Sequence, residues 1–109
     1  KLDTGMHRLG FAPEDMPRLI ERLKSQNAVI ARSVFSHLVG SDASQFDAFT
    51  RGQIEMFEAA SMQLQAAFPH KILRHICNSA GIERFPGAQF DMYVWASVCM
   101  VSVRSIILL

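Results

Sequence analysis

The stretch Ser44–Ala60 recurs, and a recurrence constrains a fold more tightly than local propensity does, because repeated sequence implies repeated architecture. The first copy reads S-Q-F-D-A-F-T-R-G-Q-I-E-M-F-E-A-A. The second, Ala80–Ala96, reads A-G-I-E-R-F-P-G-A-Q-F-D-M-Y-V-W-A. In one gap-free register Phe46 pairs with Ile82, Asp47 with Glu83, Phe49 with Phe85, Gln53 with Gln89, Glu55 with Asp91, Met56 with Met92 and Phe57 with Tyr93. Apolar matches apolar and acid matches acid, a pattern that predicts a structural duplication.

The intervening punctuation sets the units. Pro13-Glu14-Asp15 suits the first turn of a helix, where a missing N–H costs nothing and acids meet the positive end of the dipole. Met16, Leu19, Ile20 and Leu23 follow at helical spacing, and Val29, Ile30, Val34, Phe35, Leu38 and Val39 continue an apolar stripe. Gly40-Ser41-Asp42-Ala43-Ser44 and Asn78-Ser79-Ala80-Gly81 are loops. Ile54, Phe57, Ala60 and Leu64 share one helix face, and Pro86-Gly87 leads into a last helix carrying Phe90, Tyr93, Ala96 and Met100. The β-branched run Val98–Val103 leaves a strand open as the alternative there. The expectation is an all-α fold of four to five helices in a single domain, 1–109. Residues 1–10 form an arm, 11–40 a helical run-in, and 41–66 and 77–105 the repeated loop–helix units.

Half of the residues are hydrophobic and the net charge is only +1, with no basic cluster, so a nucleic-acid footprint is not expected. The two cysteines, Cys77 and Cys99, are too few for a disulfide framework and lack C-x-x-C spacing, which fits a reducing, cytoplasmic setting. The apolar segment Met92–Leu109 is broken by Ser97, Ser102, Arg104 and Ser105, so a covered helix rather than a membrane span is expected. Lys1 in place of Met suggests a fragment or a processed product.

Candidate chemistry is sparse. His7, His37, His70 and His75 have no H-x-x-x-H or H-E-x-x-H spacing. His75 and Cys77, two apart on a helix, point to different faces and do not pair as base and nucleophile. The acids Asp47, Glu55, Glu83 and Asp91 sit where helix starts are expected and read as caps. No phosphate-binding glycine loop or nucleophile elbow is present, so no catalytic residue, metal ligand or cofactor is expected, and the chain reads as non-enzymatic. Met56, Phe57, Phe90, Tyr93, Trp95, Met100, Ile106 and Leu108 are the candidate partner-binding residues: flexible thioethers and flat rings that suit an apolar helix of a protein partner or a second copy.

Over Val29–Val103 the two helix–loop–helix units resemble a pair of EF-hands, closest to the penta-EF-hand modules of calpain-like proteins around Phe57-Glu58-Ala59-Ala60 and Phe85-Pro86. The resemblance implies loops paired through Phe49 and Phe85. With Gly81 at the sixth loop position, Ile76, Asn78, Ala80 and Gly87 fall at the first, third, fifth and twelfth, too few oxygens for calcium. The implied function is a metal-silent regulatory or interaction module. The order Phe35, Phe49, His75 also resembles a globin, which implies, as the alternative, a haem-binding or sensor domain with His75 as iron ligand.

Overall fold

A polar residue at every second inward position hides the organising strands of this chain. The computed structural model describes residues 1–95 and 100–103. In it Leu2 and Thr4 are buried, as are Val34, Ser36 and Leu38, while the residues between them are less so. That alternation of two is the signature of extended chain, not helix. Strand β1 (Ser33–Phe35) pairs in parallel with β2 (Leu73–His75), in the register Ser33–Leu73, Val34–Arg74 and Phe35–His75. The segment around Leu2 runs along the other side of β1, its N–H donating to Phe35 O at 2.8 Å. Beyond β2 the Asp91 N–H donates to Arg74 O at 3.0 Å, which carries the chain into β3 (Met92–Trp95).

Helices connect the parallel strands. A 3-10 turn at Pro13–Asp15 leads into α1 (Met16–Lys24), where Pro13, Glu14 and Asp15 place it. Helix α2 (Asp47–Ala66) follows β1, and the short α3 (Ser79–Arg84) follows β2. Parallel strands need such crossovers, because a tight turn cannot return the chain to the same end of the sheet. Helix α2 buries Thr50, Gln53, Phe57, Ala60, Ser61 and Leu64, one stripe at helical spacing. The stripe belongs to a core with Leu2, Met16, Val34, Leu38, Ile72 and Ile76, against which Leu19, Ile20 and Leu23 of α1 also pack.

The all-α expectation is therefore corrected to an α/β chain. Residues 29–39 form no helix: Ser33–Phe35 is a strand, and Val29 and Ile30 are exposed before it. The recurring stretch takes two shapes. Its first copy is most of α2; its second is α3, a 3-10 turn at Pro86–Ala88 and the start of β3. Among the described residues the expected last helix is replaced by strands: β3 pairs antiparallel with β4 (Met100–Val103), where β-branched composition left a strand open. Among the described residues no helix is long and apolar enough to cross a membrane.

Candidate active site

Three loops leave the sheet at its carboxyl edge: Gly5–Arg8 after the first extended segment, Ser36–Gly40 after β1, and Ile76–Ser79 after β2. In parallel α/β architectures, ligands bind at this edge because loop side chains converge there on a rigid frame.

A buried hydrogen-bond chain ties the first two loops together. Ser36 Oγ donates to Leu2 O at 2.8 Å, which uses its single proton. Thr4 Oγ1, 2.8 Å from Ser36 Oγ, must therefore be the donor in that contact. Gln53 Nε2 completes the chain by donating to Thr4 Oγ1 at 3.4 Å and to His37 O at 3.0 Å, while Gln53 Oε1 accepts from Val39 N–H at 3.1 Å. Among the described residues no buried side-chain nitrogen or oxygen lacks a partner.

A second set of bonds ties the loops after β1 and β2. Asn78 caps α3, its Oδ1 accepting from Gly81 N–H at 3.0 Å and from Ser41 Oγ at 2.7 Å. Its Nδ2 donates to Leu38 O at 3.2 Å. Arg84 closes the set, donating through Nη1 to Ser41 O at 2.6 Å and through Nη2 to Asp47 Oδ1 and Oδ2 at 2.7 and 3.0 Å. The loop after the first segment is shaped by Asp3, whose Oδ1 accepts from the N–H groups of Gly5 and His7 at 3.1 and 2.9 Å. These bonds, that of His7 first, hold the Asp3 carboxyl below its ordinary pKa. Gly5, at φ +146°, passes so close to Phe49 that a Cβ would lie 2.8 Å from its Cζ.

The electrostatics single out two histidines. Burial lowers the pKa of His37, and the cations Lys1 and Arg8 lower it further. His75, whose ring stacks on Phe35 at 4.9 Å with 6° between planes, is likewise lowered, mainly by burial. Both are held as neutral imidazoles at neutral pH, able to accept a proton. Cys77 is the opposite case. Its thiol is buried, lies 3.3 Å from Ala88 O, and burial raises its pKa to about 11, which withholds the thiolate.

Of the residues expected to bind a partner, the three with described side chains do not share one exposed face. Met56 is exposed on α2, but the neighbouring Phe57 is 0 % exposed and meets Phe90 edge-on at 5.2 Å. Phe90 in turn lies under the Arg74 guanidinium, 4.8 Å from its carbon. These two rings are core, because α2 turns that face to the sheet. The backbones of Tyr93, Trp95 and Met100 lie in the β3–β4 pair, and their side chains, with Ile106 and Leu108, lie outside the described residues. Asp47 pairs with Arg84, and Asp91 lies 3.3 Å from Lys71 Nζ, so these two acids join elements. Sequence reasoning passed over Thr4 and Ser36 and gave His37, Gln53 and Asn78 no part in an active site; polar residues at alternate positions before a loop were the available signal.

The parallel strands and their helical crossovers make this an α/β chain whose loops converge at one edge of the sheet. A family model described as "Alanine racemase, N-terminal domain" matches residues 1–94, and the chain belongs to that family. The alanine racemase of Symbiobacterium thermophilum is 40% identical over 92 residues, covering 84% of this chain and 24% of the relative. That of Carboxydothermus hydrogenoformans is 37% identical over the same length. Among solved structures, the alanine racemase of Clostridium difficile 630 in complex with cycloserine superposes with a TM-score of 0.73 at 28% identity, covering 84% of this chain and 25% of that one. The biosynthetic alanine racemase of Pseudomonas aeruginosa gives 0.65 at 30% identity over 84% and 23%. The chain thus spans about a quarter of the length of the curated relatives it matches.

These findings overturn the EF-hand resemblance and the globin alternative. Asn78–Gly81 opens a helix at the end of a strand rather than linking two helices, and His75 lies within β2 against Phe35. The non-enzymatic reading falls with them, since the relatives are named as enzymes. The two loop–helix copies share a sequence pattern but take different secondary structure.

Proposed function

We propose that this chain is part of the catalytic barrel of an amino-acid racemase acting on alanine or an amino acid of similar size. The observation that supports the reading is His37 on the loop after β1, a loop fixed by buried hydrogen bonds, with the charges of Lys1 and Arg8 acting on its ring. Racemisation removes the Cα proton and returns it to the other face, so it needs a proton acceptor and a cation for the carboxylate. The neutral imidazole of His37 serves as proton holder, and the exposed Arg8 offers a guanidinium fork that matches a carboxylate. The relatives named alanine racemases, and a structural neighbour bound to the small molecule cycloserine, support a small amino acid as substrate.

The Cα proton is weakly acidic, and a planar electron sink of the pyridoxal phosphate kind stabilises the carbanion when bound. Two features of this chain suit a flat anion: the stacked rings of Phe35 and His75, and the positive charges of Lys1 and Arg8 that act on His37. Phe35 and His75 would offer it aromatic surface, and Lys1 and Arg8 would balance its charge. A thiol-based exchange is disfavoured at Cys77, which burial keeps protonated.

The same reading gives the partner a form. Parallel sheets are covered on both faces, and Leu9, Phe11, Val29 and Ile30 are 48–69% exposed here, so further barrel strands or a second copy complete the fold. The free thiol of Cys77 accords with a cytoplasmic setting.

The test is a chimera in which the 92-residue matching segment replaces its counterpart in the Symbiobacterium thermophilum relative. Interconversion of L- and D-alanine is expected, reduced about a hundredfold or more by His37→Ala. A chimera with native circular dichroism and no interconversion contradicts the proposal.

A further inference from the structure

Helix α2 carries a residue whose burial the core does not require. Gln53 is 0 % exposed on the stripe that holds Phe57, Ala60 and Leu64. A leucine or methionine would fill that space without desolvating a primary amide, which is unfavourable unless every polar atom is bonded. Here every one is. One Nε2 proton goes to Thr4 Oγ1 and the other to His37 O, and Oε1 accepts from Val39 N–H. The arrangement fixes the orientation of the amide, since reversing it would set Oε1 against the His37 carbonyl. The bonds to His37 O and Val39 N–H straddle Leu38, whose own carbonyl accepts from Asn78. On the amino side of His37, Ser36 N–H donates to His75 O at 3.3 Å and Ser36 Oγ donates to Leu2 O. Backbone groups on both sides of the imidazole are thereby held, and Gln53 bonds both Thr4 of the first segment and the turn after β1.

We propose that Gln53 is a positioning residue for His37: one buried carboxamide sets the turn that presents the imidazole at the carboxyl edge of the sheet. It acts on backbone, so it sets where the ring stands without touching substrate. The inference rests on the reading of that edge as the active site only for its importance. The hold of Gln53 on His37 exists, or does not, with no substrate present.

The experiment is NMR on the 109-residue chain with isotopically labelled histidine, following the rings of His7, His37, His70 and His75 through a pH titration. The charged groups acting on His37 are Lys1 and Arg8, and neither is altered. Gln53→Leu is expected to shift the His37 ring resonances and to move its midpoint up towards the ordinary histidine value. Gln53→Glu is expected to raise that midpoint further, because it places a carboxylate beside the His37 carbonyl. A purely structural role lowers the urea midpoint but leaves the His37 titration where it was, and that result overturns the proposal. Should both variants fail to fold, the unaltered chain decides. The Gln53 side-chain amide is expected to exchange its protons about a hundredfold or more slowly than that of the exposed Gln45. Equal rates overturn the proposal.

Discussion

Truncating Phe57 and its neighbour Met56 separates a core helix face from a docking face. Phe57 is 0 % exposed, packed among Val34, Leu64 and Ile76 in the core and edge-on to Phe90 at 5.2 Å. Phe57→Ala removes the transfer free energy of the ring and leaves a cavity that the sheet and α2 refill only in part. The cost is about 3–5 kcal/mol, of which the aromatic pair accounts for about 1 kcal/mol. Met56 is 42% exposed, and Met56→Ala should cost under about 1 kcal/mol, the usual range for surface changes. Since about 1.4 kcal/mol is a factor of ten in an equilibrium, the two variants should differ by roughly a hundredfold in folded-to-unfolded ratio. The assay is urea unfolding followed by circular dichroism, with an unchanged slope confirming that the unfolded state is not the source of the difference. Similar small losses for both variants would refute the packing of α2 described here and return Phe57 to the surface.

Two further outcomes follow from the site. Arg84→Ala should destabilise the chain, and a double-mutant cycle with Asp47→Asn should show a coupling of about 1 kcal/mol, the pair being partly exposed but bonded through two carboxylate oxygens. His37 and His75 have folded pKa values below the ordinary 6.5, so the unfolded chain takes up protons first on acidification. Stability should therefore be fully present above pH 6.5 and fall as the pH drops through the depressed folded values. Unfolding midpoints across that window check this, and His75→Gln should flatten the fall.

Where sequence and structure agree, apolar periodicity was uninterrupted. The stripe Met16, Leu19, Ile20, Leu23 announced α1, and Ile54, Phe57, Ala60, Leu64 announced α2. The parallel strands escaped for two physical reasons. At three residues each, β1 and β2 are shorter than the span over which an alternation can be read. Their inward positions are also interrupted by the polar Thr4 and Ser36, which are buried because they bond to each other and to Leu2 O. With those two positions discounted, Val29–Val39 looked like one helical stripe. The site was illegible for a related reason: its residues have no fixed spacing. Thr4, His37 and Asn78 lie on the first extended segment and after β1 and β2, and only the pairing of these segments brings them together. His75 was noticed, but as an iron ligand on a helix, where the structure sets it in a strand against Phe35. Family membership came from the comparison with relatives, not from any motif in the chain.

The most direct test of the racemase reading is exchange of the alanine Cα proton in deuterated water. It would be followed by proton NMR with the chimera carrying the matching segment, with and without His37→Ala. The account predicts loss of the Cα signal from both L- and D-alanine, slowed about a hundredfold or more by the substitution. Exchange that is undiminished by His37→Ala would contradict the role given to His37. No exchange in a folded chimera would contradict the racemase reading itself.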